Sequence, residues 1–163
     1  TNVENIYALG DCAEIKSPTK GRQPIEAVWY TGRIMGESLA QTLCGTPTPY
    51  NPGIWFNSAK FVDLEYQTYG NVPAKIEGEL TSIFWSELEP ERSLRIVYEK
   101  ETMKVRGFNT LGLRLRHELC DEWIKTEKTM GFVLSYLEEL NFDPEFYKKF
   151  ASQVTSQFET LTA

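Results

Sequence analysis

The spacing of apolar and polar residues divides the chain into stretches with different periods. From Pro24 to Leu43 apolar residues recur every three or four positions, which predicts a helix that begins at a proline and stops at Gly45. Residues 54–110 alternate apolar and polar side chains between turn residues, and this predicts strands. The expected strands are 54–57, 60–68, 80–87, 94–100 and 103–109, the last two forming a tight hairpin. Helical spacing returns over about 113–161, with a joint at Asp143 and Pro144.

A short apolar run, from Asn5 to Leu9, is followed at once by Gly10 and Asp11. We expect this run to be a buried strand, because it holds β-branched and aromatic residues and ends at a turn signal. In open α/β sheets ligands bind beyond the carboxyl ends of strands, and glycine lets them approach the backbone. Asp11 would accept hydrogen bonds from hydroxyl groups there, and the start of the following helix would offer N–H groups. The segment therefore predicts half of a cofactor site.

Residues 45–53 contain three prolines, which marks a linker between two parts of the chain. We expect 1–44 to belong to an α/β domain and 54–163 to form an interface domain. That second domain would have its sheet at about 54–110 and its helices at about 113–161. The predicted fold class is therefore α+β, with a strand and a helix followed by a small, mainly antiparallel β domain with C-terminal helices.

The composition argues against several classes of binding partner and site. Its 17 Lys and Arg against 23 Asp and Glu give a net charge of −6, which argues against a nucleic-acid or polybasic membrane module. The single histidine, His117, argues against a metal site, and we expect none. Three cysteines without a C-x-x-C pair are typical of reduced thiols. No apolar run reaches the ~20 residues of a membrane helix, so we expect a cytoplasmic protein.

The start of the chain resembles the second FAD-binding motif of the pyridine nucleotide-disulfide oxidoreductase superfamily, T-x-x-x-x-[IV]-[YF]-A-x-G-D. The matching positions are Thr1, Ile6, Tyr7, Ala8, Gly10 and Asp11. Gly32 and Gly36 fit the close packing of the helix that follows in this family. Residues 55–70 are similar to the first strand of the C-terminal domain in ferredoxin-reductase-like and rubredoxin-reductase-like members.

This resemblance implies FAD as the cofactor of a parent protein. Asp11, after Gly10, would bind a ribityl hydroxyl, and the backbone N–H groups of Glu26, Ala27 and Val28 would face the pyrimidine edge of the flavin. The sequence contains neither the family's G-x-G-x-x-G loops nor its redox cysteine pair nor its C-terminal acid–base motif, so no catalytic residue is assigned. The chain thus looks like the C-terminal part of an FAD-dependent NAD(P)H oxidoreductase. Alone, we expect it to be inactive and to bind FAD weakly or not at all.

Two functions stay open. In the first, the chain supplies one wall of a flavin site, NAD(P)H binds in a domain outside it, and residues 54–163 form a homodimer. The alternative is a stand-alone dimerisation or docking module without catalysis. The many aromatic residues after position 50 favour self-association in either case, and we expect Phe150 and Phe158 at the interface.

Four further residues have both a chemical and a packing interpretation. Cys12 is either a redox thiol or a small residue packed under the loop, and we favour packing. His117 and Cys120, three residues apart, are either a nucleophilic pair or part of a half-buried helical stripe, which we favour. Trp29 either flanks the flavin or packs in a core or an interface, and we favour the latter.

Overall fold

The computed structural model describes residues 1–19, 21–88, 91–142 and 149–162. Its helices and strands are α1 (Trp29–Leu43), β1 (Phe56–Phe61), β2 (Leu64–Gly70), β3 (Leu80–Leu88), β4 (Glu91–Glu99), β5 (Val105–Leu111), α2 (His117–Lys125), α3 (Met130–Ser135) and α4 (Ala151–Thr162). The strands form one sheet in the order β1-β2-β5-β4-β3, with β2, β5, β4 and β3 paired antiparallel. The predicted α+β class is confirmed. The joint expected at Asp143 and Pro144 lies outside the described residues.

The chain forms two compact units, Thr1–Asn57 (unit 1) and Ser58–Ala163 (unit 2). The proline-rich stretch 45–53 belongs to unit 1, and the division between the units falls within β1. Unit 1 therefore contains α1 and the whole segment that resembles the FAD-binding motif.

The helix of unit 1 begins later than its apolar spacing predicts. α1 starts at Trp29 rather than at Pro24, because Val28 has extended backbone angles and the preceding residues are held by side-chain bonds. The predicted end is confirmed. Gly45 adopts a φ of +90° and donates its N–H to the Thr42 carbonyl, while the Thr46 N–H reaches the Gln41 carbonyl. These are the two bonds of a Schellman motif, in which glycine avoids the steric cost of the left-handed conformation.

The prediction of a buried strand from Asn5 to Leu9 is wrong. Ile6 and Tyr7 are 55% and 50% exposed, and Asn5 has a φ of +60°. A strand needs a neighbour to take up its backbone N–H and C=O groups. None of the strands in the described part of the chain pairs with this run. The chain instead satisfies the Ile6 carbonyl locally, through the Thr1 hydroxyl at 2.6 Å.

The first strands of the sheet also differ from the prediction. The single strand expected over 60–68 is wrong, because the chain reverses at Val62 and Asp63 and forms β1 and β2 on either side. The tight hairpin predicted for the last two strands is confirmed by the antiparallel register of β4 and β5. At its turn Met103 has a φ of +59°, and the Glu99 N–H donates to the Lys104 carbonyl.

The core of unit 2 lies between the sheet and the helices after it. Among the described residues its least exposed apolar side chains are Ile96, Val97, Val105, Phe108, Cys120, Met130, Val133 and Leu140. α2 begins at His117, not near 113, because residues before it bond to the sheet: the Leu115 N–H donates to Gln67 Oε1 at 2.7 Å. The helix α4 adds Phe158, whose ring lies 6.1 Å from that of Tyr98.

Candidate functional site

The Gly10–Cys12 segment is a single 3-10 turn that packs against α1. Gly10 has a φ of +76°, and its N–H donates to the Met35 sulfur at 3.2 Å. A Cβ on Gly32 would lie 3.6 Å from the Gly10 Cα, and one on Gly36 would lie 3.8 Å from a methyl carbon of Leu9. The turn thus lies against the helix at Gly32 and Gly36, although a Cβ at either position would make only ordinary van der Waals contact.

This turn presents a carboxylate beside accessible backbone. Asp11 is exposed, and apart from Leu9, Gly10 and Asp11 themselves no described residue has an atom within 4 Å of the position that a Cβ on Gly10 would occupy. A ligand can therefore approach the Gly10 backbone while the Asp11 carboxylate accepts hydrogen bonds from it. Such an acceptor suits a polyhydroxyl chain, and the residues present fit the ribityl part of FAD.

The structure gives different surroundings to the three residues predicted to face the flavin with their N–H groups. Val28 precedes α1, and its N–H donates to the Glu26 carbonyl at 2.9 Å. The first turn of the helix therefore begins at Trp29. The Ala27 side chain is exposed, whereas the Glu26 side chain points into unit 1 and is 7% exposed. The flavin-facing role of Glu26, Ala27 and Val28 stays a prediction.

An ion pair that sequence reasoning missed lies beside this segment. The Arg22 guanidinium donates to both carboxylate oxygens of Glu26, with 2.6 Å between Nε and Oε1. Burial raises the pKa of the Glu26 carboxyl, but the bonds and charge of Arg22, with the bonds from Thr31 and the Gln23 N–H, together hold that pKa below its ordinary value. The signal in the sequence was the i, i+4 spacing of opposite charges, which we interpreted as part of a loop and a helix.

The remaining candidate residues differ in how far they are exposed. Cys12 is exposed, so its interpretation as a packed residue is wrong. Cys120 is buried, and burial raises the pKa of its thiol, which argues against a nucleophile. His117 is exposed rather than half-buried, and its ring centroid lies 5.5 Å from that of Tyr69. Trp29 is 67% exposed and lies under Arg33, so it is not a core residue.

Within the described ranges, no helix combines the length and the apolar composition needed to cross a membrane.

No protein-family model matches the chain. Over 72 residues, which is 43% of the chain, it is 35% identical to the 5,5'-dehydrodivanillate O-demethylase ferredoxin reductase subunit of Sphingobium sp. (strain NBRC 103272 / SYK-6). The matched stretch covers 17% of that protein.

Solved structures match nearly the whole chain. A NAD-dependent persulfide reductase from A. fulgidus matches 96% of it with a TM-score of 0.69 and 15% identity. A FAD-dependent pyridine nucleotide-disulphide oxidoreductase from Desulfovibrio vulgaris matches 94% with a TM-score of 0.60 and 12% identity. Reduced CoADR-RHD of Bacillus anthracis matches 95% with a TM-score of 0.63 and 20% identity.

The chain spans 31%, 38% and 30% of the lengths of these three proteins. Its likeness to them shows the fold, and the similarity to a ferredoxin reductase subunit supports one branch of the superfamily. The resemblance first seen in residues 1–70 is thereby confirmed. The chain has the fold of the C-terminal part of the FAD-dependent pyridine nucleotide-disulfide oxidoreductases, with its sequence similarity on the ferredoxin-reductase side.

Proposed function

We propose that the chain is the C-terminal part of an FAD-dependent NAD(P)H oxidoreductase and that unit 1 forms one wall of its flavin site. The observation that carries this proposal is the exposed Asp11 carboxylate on a turn fixed to α1, next to open backbone at Gly10. A carboxylate that accepts hydrogen bonds from sugar hydroxyls contributes about 1.5–3 kcal/mol per charged bond. Similarity to a ferredoxin reductase subunit and to FAD-dependent and NAD-dependent reductases supports the same activity.

The chain's own residues would bind and orient the cofactor rather than carry out bond chemistry. Asp11 would hold a ribityl hydroxyl, and the N-terminal end of α1 would present its positive dipole end to the electron-rich part of the flavin. When bound, FAD supplies the ability to accept a hydride and pass electrons onward. In this proposal NAD(P)H binds in a part of the protein outside this chain.

Apolar surface on unit 1 supports its placement against further protein. Ile25 and Trp29 are 53% and 67% exposed, and an apolar groove of about 390 Å³ includes Leu9, Met35 and Leu39. Exposed apolar surface of this extent is typical of contact with other polypeptide. The 163-residue chain alone should bind FAD weakly or not at all, because its sequence contains no G-x-G-x-x-G loop to hold the pyrophosphate.

Flavin content of the full-length protein tests the proposed function. After dialysis it should retain about one FAD per chain, and anaerobic NADH or NADPH should bleach the flavin absorbance. A colourless protein that neither retains added FAD nor is reduced by either nucleotide would leave only the stand-alone docking module. The 163-residue chain, purified in parallel, is the control for nonspecific flavin binding.

We also propose that unit 2 self-associates. Four exposed apolar residues lie at the end of the sheet where β1 turns into β2, namely Phe61, Val62, Leu88 and Leu111. Val62 is 89% exposed and has a φ of +54°, a conformation that is strained for a β-branched side chain. A valine that is both exposed to solvent and held in a strained backbone conformation supports a role for this surface in an interface.

A further inference from the structure

The Arg22 and Glu26 side chains form a buried and fully engaged ion pair inside unit 1. Their side chains are 8% and 7% exposed. Besides its two bonds to Glu26, Arg22 donates through Nη1 to the carbonyls of Pro52 and Gly53 at 3.0 and 3.1 Å. Glu26 also accepts from the Thr31 hydroxyl at 3.2 Å and from the Gln23 N–H at 3.3 Å.

These bonds join three pieces of unit 1 that are apart in the sequence. Glu26 connects the segment before α1 to the first turn of that helix, through Thr31. Arg22 connects the same segment to Pro52 and Gly53, more than 25 residues farther along. A single guanidinium thus fixes the path by which the chain enters α1. Its planar group carries several N–H donors in a fixed arrangement, which the ammonium group of lysine does not provide.

Stability alone does not explain a pair of this kind. Burying both charges costs solvation free energy that their attraction only partly returns, and apolar replacements of both partners are often neutral or stabilising. In an exposed pair with the same spacing, Arg33 and Glu37 are 60% and 57% exposed, and among the described residues neither side chain hydrogen-bonds to another segment of the chain. The buried pair is therefore better explained by the geometry that it imposes than by the free energy of folding that it supplies.

We propose that Arg22 is a positioning residue of the flavin site: through Glu26 it sets the position of the segment that leads into α1, and hence the orientation of the helix N-terminus offered to FAD. This inference rests on the proposed function. Arg22 needs no contact with the cofactor, because its four described acceptors all belong to this chain.

The test uses the full-length protein and four variants. Arg22→Met leaves the Glu26 charge buried without its partner, whereas Arg22→Met with Glu26→Met removes both charges. Arg33→Met is the matched control for loss of an exposed arginine with the same i, i+4 partner spacing. Asp11→Ala reports on the flavin site independently. The measurements are the dissociation constant for FAD, the midpoint of urea unfolding, and amide hydrogen exchange in peptides that cover 22–31 and 50–54.

The inference predicts that Arg22→Met weakens FAD binding about tenfold and accelerates exchange in both peptides. The double variant should regain the unfolding midpoint of the wild type because no unpaired charge remains, yet its FAD affinity should stay about tenfold lower. Arg33→Met should match the wild type in all three measurements.

Two results would overturn the positioning role while leaving the proposed function intact. In one, Arg22→Met binds FAD as the wild type does although Asp11→Ala does not. In the other, the double variant regains FAD affinity together with stability, which means that Arg22 acts through stability alone. If Asp11→Ala also binds FAD like the wild type, the proposed function fails, and this inference fails with it.

Discussion

At the scale of single residues, Glu26 links the stability of unit 1 to pH. Burial raises the pKa of its carboxyl, but the bonds and charge of Arg22, with the bonds from Thr31 and the Gln23 N–H, together lower it further, so the net pKa lies below the ordinary value. A group with a depressed pKa in the folded state stabilises the fold above its unfolded pKa, about 4.3 for glutamate. That stabilisation is lost as the pH falls through the lower, folded pKa.

We therefore expect Glu26→Gln to destabilise the chain at neutral pH and to flatten the acid limb of its stability curve. The difference in unfolding free energy between the wild type and the variant should be largest above the unfolded pKa of glutamate, about 4.3, and should shrink as the pH falls below it. Urea unfolding across this range is the measurement. Glu37→Gln, in the exposed pair with Arg33, should show almost no difference at any pH. A Glu26→Gln difference that grows on acidification would contradict the ion-pair account.

Residue types at the turn could be predicted from the sequence, but their partners could not. Gly32 and Gly36 were singled out through the family resemblance, and the turn at Gly10 lies against them. Arg22 was missed because its partners Pro52 and Gly53 are brought near only by the fold. Long-range bonds of this kind leave no periodic signal in the sequence.

At the scale of elements, the sequence predicts a strand correctly when its pairing partner is the next strand along the chain. The β4–β5 hairpin was predicted because its two arms and its turn are adjacent in the chain. The run from Asn5 to Leu9 has the composition of a strand but lacks a strand partner within the described residues. The reversal at Val62 was missed because valine rarely adopts a positive φ, so the residue carried no turn signal.

Packing of α4 on the sheet also corrects an expected interface. Phe150, just before α4, is 1% exposed, and its ring is stacked 6.0 Å from that of Trp85. Gln157, within the helix, donates to the Phe84 carbonyl at 2.7 Å. The expectation that Phe150 lies at an interface is wrong, because its surface is covered by its own unit.

Removing the Phe150 ring should destabilise unit 2 rather than change its association. We expect Phe150→Ala to lower the free energy of unfolding by about 3–5 kcal/mol, the usual cost of emptying an aromatic core site. Leu161→Ala, which lies in α4 and is 68% exposed, should change it by less than about 0.5 kcal/mol. Thermal and urea unfolding measure both. Equal, small effects would show that Phe150 is not a core residue.

At the scale of the whole molecule, exposed apolar residues on the two units predict two separable associations. The surface at Phe61 and Val62 would mediate the self-association of unit 2. Trp29 on unit 1 would mediate contact between chains only in the 163-residue chain, where the surface that the rest of the flavin domain would cover is exposed. The two surfaces belong to different units and can therefore be altered one at a time.

We expect the 163-residue chain to be at least partly dimeric at ~100 μM, well above the dissociation constants of stable dimers. Val62→Asp should weaken this association at least about tenfold, because it places a charge in an apolar contact. Trp29→Ser should not disrupt the dimer formed through unit 2. Leu161→Asp, a control at another exposed apolar site, should not disrupt it either. Sedimentation equilibrium at several concentrations is the measurement. A strictly monomeric wild-type chain would refute the interface.

The affinity of the full-length protein for FAD with and without the Asp11 carboxylate tests the central claim most directly. Loss of a charge-assisted bond to a ribityl hydroxyl, about 1.5–3 kcal/mol, predicts that Asp11→Ala binds FAD roughly ten- to a hundredfold more weakly. Asp63→Ala removes an equally exposed turn aspartate between β1 and β2 and should bind FAD like the wild type. If Asp11→Ala retains full flavin occupancy through extensive dialysis and has the wild-type dissociation constant, Asp11 does not hold the cofactor and the proposed flavin wall is contradicted.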